Sequence, residues 1–74
     1  MKTEDLIELT AAELHQELEE THQELINLRF QLAIGRLKDY SRISQLRRDI
    51  ARIKTEQSRR RLLEEKVQRQ EAEV

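Results

Sequence analysis

Residues 42–55 read Arg-Ile-Ser-Gln-Leu-Arg-Arg-Asp-Ile-Ala-Arg-Ile-Lys-Thr. On a helix, Ile43, Leu46, Ile50 and Ile53 recur at spacings of three, four and three, which makes one apolar seam. Arg42, Arg47, Arg48, Arg52 and Lys54 project from the remaining surface. One side of this helix needs a hydrophobic partner, and the other offers cations to something negative.

The hydrophobic partner lies upstream. Leu14, Leu18, Thr21, Leu25, Leu28 and Leu32 alternate spacings of four and three, a heptad-like seam on a helix expected from about Ala11 to about Ile34. Ile26, Phe30 and Ala33 are expected to widen that seam in its C-terminal half. Thr10-Ala11-Ala12-Glu13 reads as a capping box opening this helix. Gly35, the only glycine, follows the periodic run and suits a left-handed C-terminal cap. Arg36 to Tyr40 then form a turn, with Asp39 or Ser41 able to cap the next helix.

Folding the two seams together antiparallel sets Leu32 near Ile43, Leu28 near Leu46 or Arg47, and Leu25 near Ile50, with Leu18 facing about Gln57. Ahead of them, Thr3 can cap a short helix with Glu4 and Asp5 in its first turn and Leu6, Ile7 and Leu9 as its apolar residues. A helix this short does not persist alone. It is expected to pack at the open end of the hairpin, covering Leu62, Leu63 and Val67. The sequence past Val67 is polar all round and is expected to fray or to project as an unsupported helix. The fold class is therefore all-α: a long antiparallel two-helix hairpin with a short N-terminal helix packed at its open end.

A chain of 74 residues with 36% hydrophobic and 3% aromatic residues supports one small domain with a thin core. It has no cysteine, so neither a disulfide nor a thiolate metal site is available. No apolar run approaches the roughly 20 residues of a membrane span. The N-terminus, Met-Lys-Thr-Glu-Asp, lacks a signal peptide's apolar stretch and is too acidic for a transit peptide. A protein that stays where it is made, with no membrane partner, is the expectation.

The net charge of −1 conceals a strong polarity. Residues 1–34 set Lys2 and Arg29 against eight acids, Glu4, Asp5, Glu8, Glu13, Glu17, Glu19, Glu20 and Glu24. Residues 35–63 reverse this, with ten cations against Asp39, Asp49 and Glu56. The acidic half of the second helix lies opposite residues near Gln57 to Arg61, so Arg59, Arg60 and Arg61 are expected to pair with Glu13, Glu17 and Glu20. Arg36 to Arg52 are expected to face an almost acid-free stretch, since none occurs between Glu24 and Asp39. Uncompensated cations of this kind imply a polyanion. Guanidinium suits phosphate because its fork donates two parallel hydrogen bonds. With Phe30 and Tyr40 as the only aromatics, contact with phosphates and sugars of structured RNA or duplex DNA is expected, rather than base stacking on single strands.

Other chemistries find little support. His15, Glu19 and His22 share a helix face, but nothing suggests the enclosing groups that a zinc site wants, and a solvated polar face is the simpler reading. Two long helices leave no cleft in which to shift a carboxylate pKa, and there is no nucleophile arrangement, phosphate loop or cofactor motif. Neither an enzyme nor a cofactor, metal or small-molecule substrate is expected.

Asn27-Leu28-Arg29-Phe30-Gln31-Leu32-Ala33, then Gly35 and Leu37, then Arg42-Ile43 and Arg47-Arg48-Asp49-Ile50-Ala51-Arg52-Ile53-Lys54-Thr55 resemble the bacterial-type large-subunit ribosomal protein twenty-nine family. The resemblance covers about residues 1–63, with two separate motifs in order across a turn of fitting length. At the turn, Ala33-Ile34-Gly35-Arg36-Leu37 stands where the family usually has Ala-Thr-Gly-Gln-Leu, and Asp39-Tyr40 where it often has Asn-Pro. The resemblance implies a helical hairpin, residues 1–63, that binds large-subunit ribosomal RNA near the polypeptide exit tunnel beside ribosomal protein twenty-three. Chaperones and the signal recognition particle visit the same neighbourhood. Residues 64–74 would be a charged C-terminal helical extension or tail. By position, Arg29, Gln31, Arg42, Arg47, Arg48, Arg52 and Thr55 are the implied RNA contacts; Arg36, Lys38 and Lys54 join them from charge alone. Arg29 has an alternative role, bridging to Asp49 across the hairpin, and Thr55 can equally be a plain exposed helix residue. The implied location is the cytoplasmic ribosome, with an organellar ribosome also open. The competing reading is a self-associating coiled-coil scaffold or assembly module, since both long helices carry heptad-like seams.

Overall fold

The computed structural model describes residues 2–73, so Met1 and Val74, at the outer ends of the two expected segments, lie outside the described residues. The secondary structure there is entirely helical: α1 spans Thr3–Ile7, α2 spans Ala11–Ala33 and α3 spans Ser41–Glu73. None of these helices is long and apolar enough to cross a membrane.

The ends of α2 are set by local chemistry. The Thr10 hydroxyl accepts from the Glu13 amide at 3.1 Å, and the Glu13 carboxylate accepts from the Thr10 amide at 3.3 Å. This reciprocal box satisfies two amides that the first turn leaves without helical partners. At the other end Gly35 takes φ +73°. The Arg36 amide then reaches the Gln31 carbonyl at 2.8 Å, and the Gly35 amide reaches the Leu32 carbonyl at 3.1 Å. That pair of bonds is a Schellman closure, and it consumes carbonyls the last turn would leave open. For α3 the acceptor is Asp39, whose Oδ1 takes the Ser41 hydroxyl at 2.6 Å and the Ser41 amide at 3.0 Å. Those bonds, the hydroxyl's first, hold the Asp39 carboxyl below its usual pKa.

The start of α1 differs from expectation. Lys2, not Thr3, occupies the N-cap, and it makes no side-chain capping bond. The Lys2 carbonyl already accepts from the Asp5 and Leu6 amides, which puts Thr3 inside the helix.

The core forms two clusters along the α2–α3 seam. Leu25, Leu46 and Ile50 make one, with Leu18, Leu28 and Ile43 against it. Leu6, Leu14 and Ile53 make the other, with Leu9 and Leu18 against it. Low residues of α2 thus meet high residues of α3, as Leu14 meets Ile53, so the two helices run antiparallel. Thr21 is buried in the seam and ties its hydroxyl to the Glu17 carbonyl at 2.7 Å, so no polar atom is stranded there.

Leu25 with Ile50 and Leu28 with Leu46 share a cluster as expected, but the pairing toward the two ends of the seam is offset by about a turn. Leu28, not Leu32, shares a cluster with Ile43, and Leu18 shares one with Ile53. Leu32 remains exposed at the margin. Residues 36–39, which join the two helices, are non-helical. Two corrections follow. First, α1 covers Leu14 and Ile53 through Leu6, not Leu62, Leu63 and Val67, which are 60%, 49% and 52% exposed. Ile7 also stays exposed. Second, Ile26, Phe30 and Ala33 do not widen the seam but lie on the solvent side of α2.

Because Ala11 lies beside Arg60, Arg61 and Glu64, α3 outruns α2 from about that point. It continues as helix to Glu73 without a break at residue 63. At about 1.5 Å per residue its 33 residues run roughly 50 Å, most of the 60 Å length of the molecule.

Candidate nucleic-acid interface

Each cation of the proposed contact set is exposed, and the set runs from the turn along α3 to Arg52 and Thr55, which lie beside Thr3 and Ile7 of α1. Arg29 leaves α2 near its C-terminus, and Arg36 and Lys38 sit in the turn. On α3, Arg48, Arg52 and Thr55 follow at four and three residues, which puts them in one row on the face away from the seam. Arg47 and Lys54, seven apart, form a second row along the flank. Gln31 is exposed too, although its backbone carbonyl is spent on closing α2.

Ion pairing divides these residues. Arg42 is not unmatched: its Nε and Nη2 donate to Glu24 Oε1 at 3.1 and 2.8 Å, and its Nη1 donates to Gln45 at 3.3 Å. Glu24, at the edge of the stretch expected to be almost free of acid, thus reaches one cation of the Arg36 to Arg52 set. Arg52 Nη1 lies 3.8 Å from the buried Asp49 carboxylate. Asp49 is therefore held by the residue one turn on, and no bridge to Arg29 forms. The Thr55 hydroxyl donates back to the Ala51 carbonyl at 2.8 Å, as an exposed helical threonine commonly does. Among the described residues, Arg29, Arg36, Lys38, Arg47, Arg48 and Lys54 enter no hydrogen bond or ion pair through their side chains.

The cations nearer the open end are organised differently. Glu56 is buried and collects two arginines from its own helix. Arg59 grips both of its oxygens, Nε to Oε2 at 2.9 Å and Nη2 to Oε1 at 2.7 Å. Arg60 Nε adds a bond to Oε1 at 2.9 Å. These bonds, Arg59's first, pull the Glu56 pKa down to about 2. Arg60 Nη2 then donates to the carbonyls of Leu6, Ile7 and Leu9 at 3.1, 3.2 and 2.7 Å. Arg59 and Arg60 thus answer Glu56 and the end of α1, not Glu13, Glu17 and Glu20, and Arg61 pairs with none of the described residues. The missed signal was a glutamate followed at three and four residues by arginine, the spacing that joins side chains along a helix.

The histidine face holds no metal arrangement. His15 Nε2 is 3.0 Å from Glu19 Oε1 at an exposed site, and no group of three ligating side chains occurs among the described residues. The surface depressions beside Leu14, Glu17, Ile7 and Val67 are open to solvent.

The family model described as "Ribosomal L29 protein" matches residues 4–60. The large ribosomal subunit protein uL29 of Geobacillus stearothermophilus is 53% identical over 55 residues, covering 74% of this chain and 83% of its own. Its counterpart in Syntrophotalea carbinolica is 53% identical over 55 residues, with 74% and 89% covered. The one in Thermosipho africanus is 56% identical over 55 residues, with 74% and 83% covered. A match across most of α1, α2 and the paired part of α3 shows that the chain belongs to the ribosomal protein L29 family, structural constituents of the large ribosomal subunit and not enzymes.

Proposed function

We propose that this protein acts in the cytoplasmic ribosome as a helical hairpin that binds large-subunit ribosomal RNA near the polypeptide exit tunnel. Residues 1–63 form the binding domain, and residues 64–74 are an extension that stays off the RNA. The contacts come from Arg29, Gln31, Arg36, Lys38, Arg42, Arg47, Arg48, Arg52, Lys54 and Thr55. Ribosomal protein twenty-three is the neighbour in this reading, and chaperones or the signal recognition particle are the transient visitors.

The observation that carries it is the set of exposed cations left without an internal partner between Arg29 and Lys54. Other cations are matched inside the chain: Glu56 takes Arg59 and Arg60, and Glu24 takes Arg42. Leaving Arg29, Arg36, Lys38, Arg47, Arg48 and Lys54 unmatched suits a phosphate backbone, where each cation can displace a condensed counterion. The acidic N-terminal half of α2 would be repelled from the same backbone.

Co-sedimentation of the tagged chain with ribosomal subunits tests it. Recovery with the large subunit at low salt and progressive loss at high salt is expected. Recovery as a free oligomer without RNA would favour the coiled-coil scaffold instead.

A further inference from the structure

A groove lies between α1 and α3, with Thr3 and Ile7 on one side and Ala51, Arg52, Thr55 and Arg59 on the other. Its origin is local. Ala51 is exposed and too small to fill the space, and α1 ends at Ile7, which stays 52% exposed. Arg48, Arg52, Thr55 and Arg59 follow one another at four, three and four residues. The groove therefore opens directly onto the α3 row that the ribosomal reading gives to phosphates.

The surroundings select an occupant. Ile7 and Ala51 make an apolar floor, and the rim is cationic. Arg59 spends Nε and Nη2 on Glu56, which leaves Nη1 for a further acceptor. Glu56, the acid in the groove wall, is buried and already gripped by Arg59 and Arg60. On α1, Glu4, Asp5 and Glu8 are all exposed, and they repel a phosphate from that helix. A nucleic acid on the α3 row thus keeps its backbone over the arginines, while an unpaired base, uncharged and apolar on its faces, can turn toward α1. Arginine suits such a base, since the guanidinium plane stacks on it. An apolar protein side chain would also cover the floor, but it would leave the adjoining Arg48 without an anion.

We propose that the groove between α1 and α3 takes one unpaired base of the ribosomal RNA, seated on Ile7 and Ala51 between Arg52 and Arg59. This rests on the ribosomal reading and extends its contact face onto α1.

The test is photocrosslinking in large subunits reconstituted with the full chain, synthesised with photoleucine at position 7 or, as reference, 48. Position 7 is expected to join a single nucleotide that is unpaired in the subunit, close to the site reached from 48. Ala51→Leu fills the floor and is expected to lower the adduct at 7 about tenfold, while the adduct at 48 and the circular dichroism stay those of the parent. Ile7→Ser withdraws the floor from the other side. It is expected to weaken RNA binding about fivefold with no change in salt slope, because no phosphate contact is lost. A protein adduct at 7, adducts scattered over paired nucleotides, an adduct that Ala51→Leu leaves undiminished, or none at 7 while 48 reaches RNA would each overturn the proposal alone. Failure of both positions to reach RNA would defeat the RNA reading and the proposal with it.

Discussion

The Arg60 guanidinium rests on the Glu56 carboxylate, Nε to Oε1 at 2.9 Å, and spends its outer nitrogen on the carbonyls of Leu6, Ile7 and Leu9. A helix as short as α1 has little stability of its own. Its retention depends on Leu6 in the core and on this clamp. In Arg60→Ala, the Leu6, Ile7 and Leu9 carbonyls lose the Arg60 donor, while the Leu6 carbonyl keeps a backbone donor, the Leu9 amide at 3.2 Å. Amide exchange at Leu9 is expected to rise roughly tenfold, with α2 little changed. Equal acceleration throughout would show that the clamp has no local role.

Glu56 should also make the fold acid-sensitive in a defined window. Its pKa falls to about 2 in the folded protein from an ordinary value near 4.5. A depressed carboxylate contributes stability in full above the unfolded value and loses it as pH falls through the folded one. Thermal melts between pH 5 and about pH 2 should therefore fall more steeply for the parent than for Glu56→Gln. Parallel curves would contradict the assignment.

Gly35 isolates a backbone effect. A methyl group there would meet nothing within 4 Å, so only the φ of +73° opposes it. Gly35→Ala should cost about 1–2 kcal/mol in urea denaturation, the usual penalty for an L residue in the left-handed region, and Gly35→Asn less. A cost near zero would mean that the Schellman closure does not persist in solution.

The register can be read from two substitutions. Ile53 is fully buried between Leu6 and Leu14, whereas Leu62 is exposed. Ile53→Val should cost about 0.5–1.5 kcal/mol, and Leu62→Ala close to nothing. The reverse order would restore the register in which α1 covers the later leucines.

Periodicity made both seams legible, because burial on one helix face leaves a three-four spacing whatever the partner. The Thr10–Glu13 box and the Gly35 closure were legible for the same reason: each is local, decided within six residues. What lay between the helices was not. The register depends on how two separate helices pack, and no short-range signal in the sequence fixes it. That register decides that Arg42 finds Glu24 and that Leu62 finds nothing. Among the site cations, residue type and exposure could be read from the sequence, but which arginines were already matched could not. Ile26 and Phe30 misled because an apolar residue beside a seam looks like part of it until the crossing is known.

The most direct measurement is the salt dependence of binding to large-subunit ribosomal RNA, for the parent chain and for the Arg47→Ala and Arg48→Ala variants. Each unpartnered arginine at a phosphate should contribute about 0.7–0.9 to the slope of log affinity against log salt. The account expects both variants to bind more weakly, with slopes shallower by roughly that amount and helicity unchanged. Affinity that ignores both substitutions and the salt concentration would contradict it.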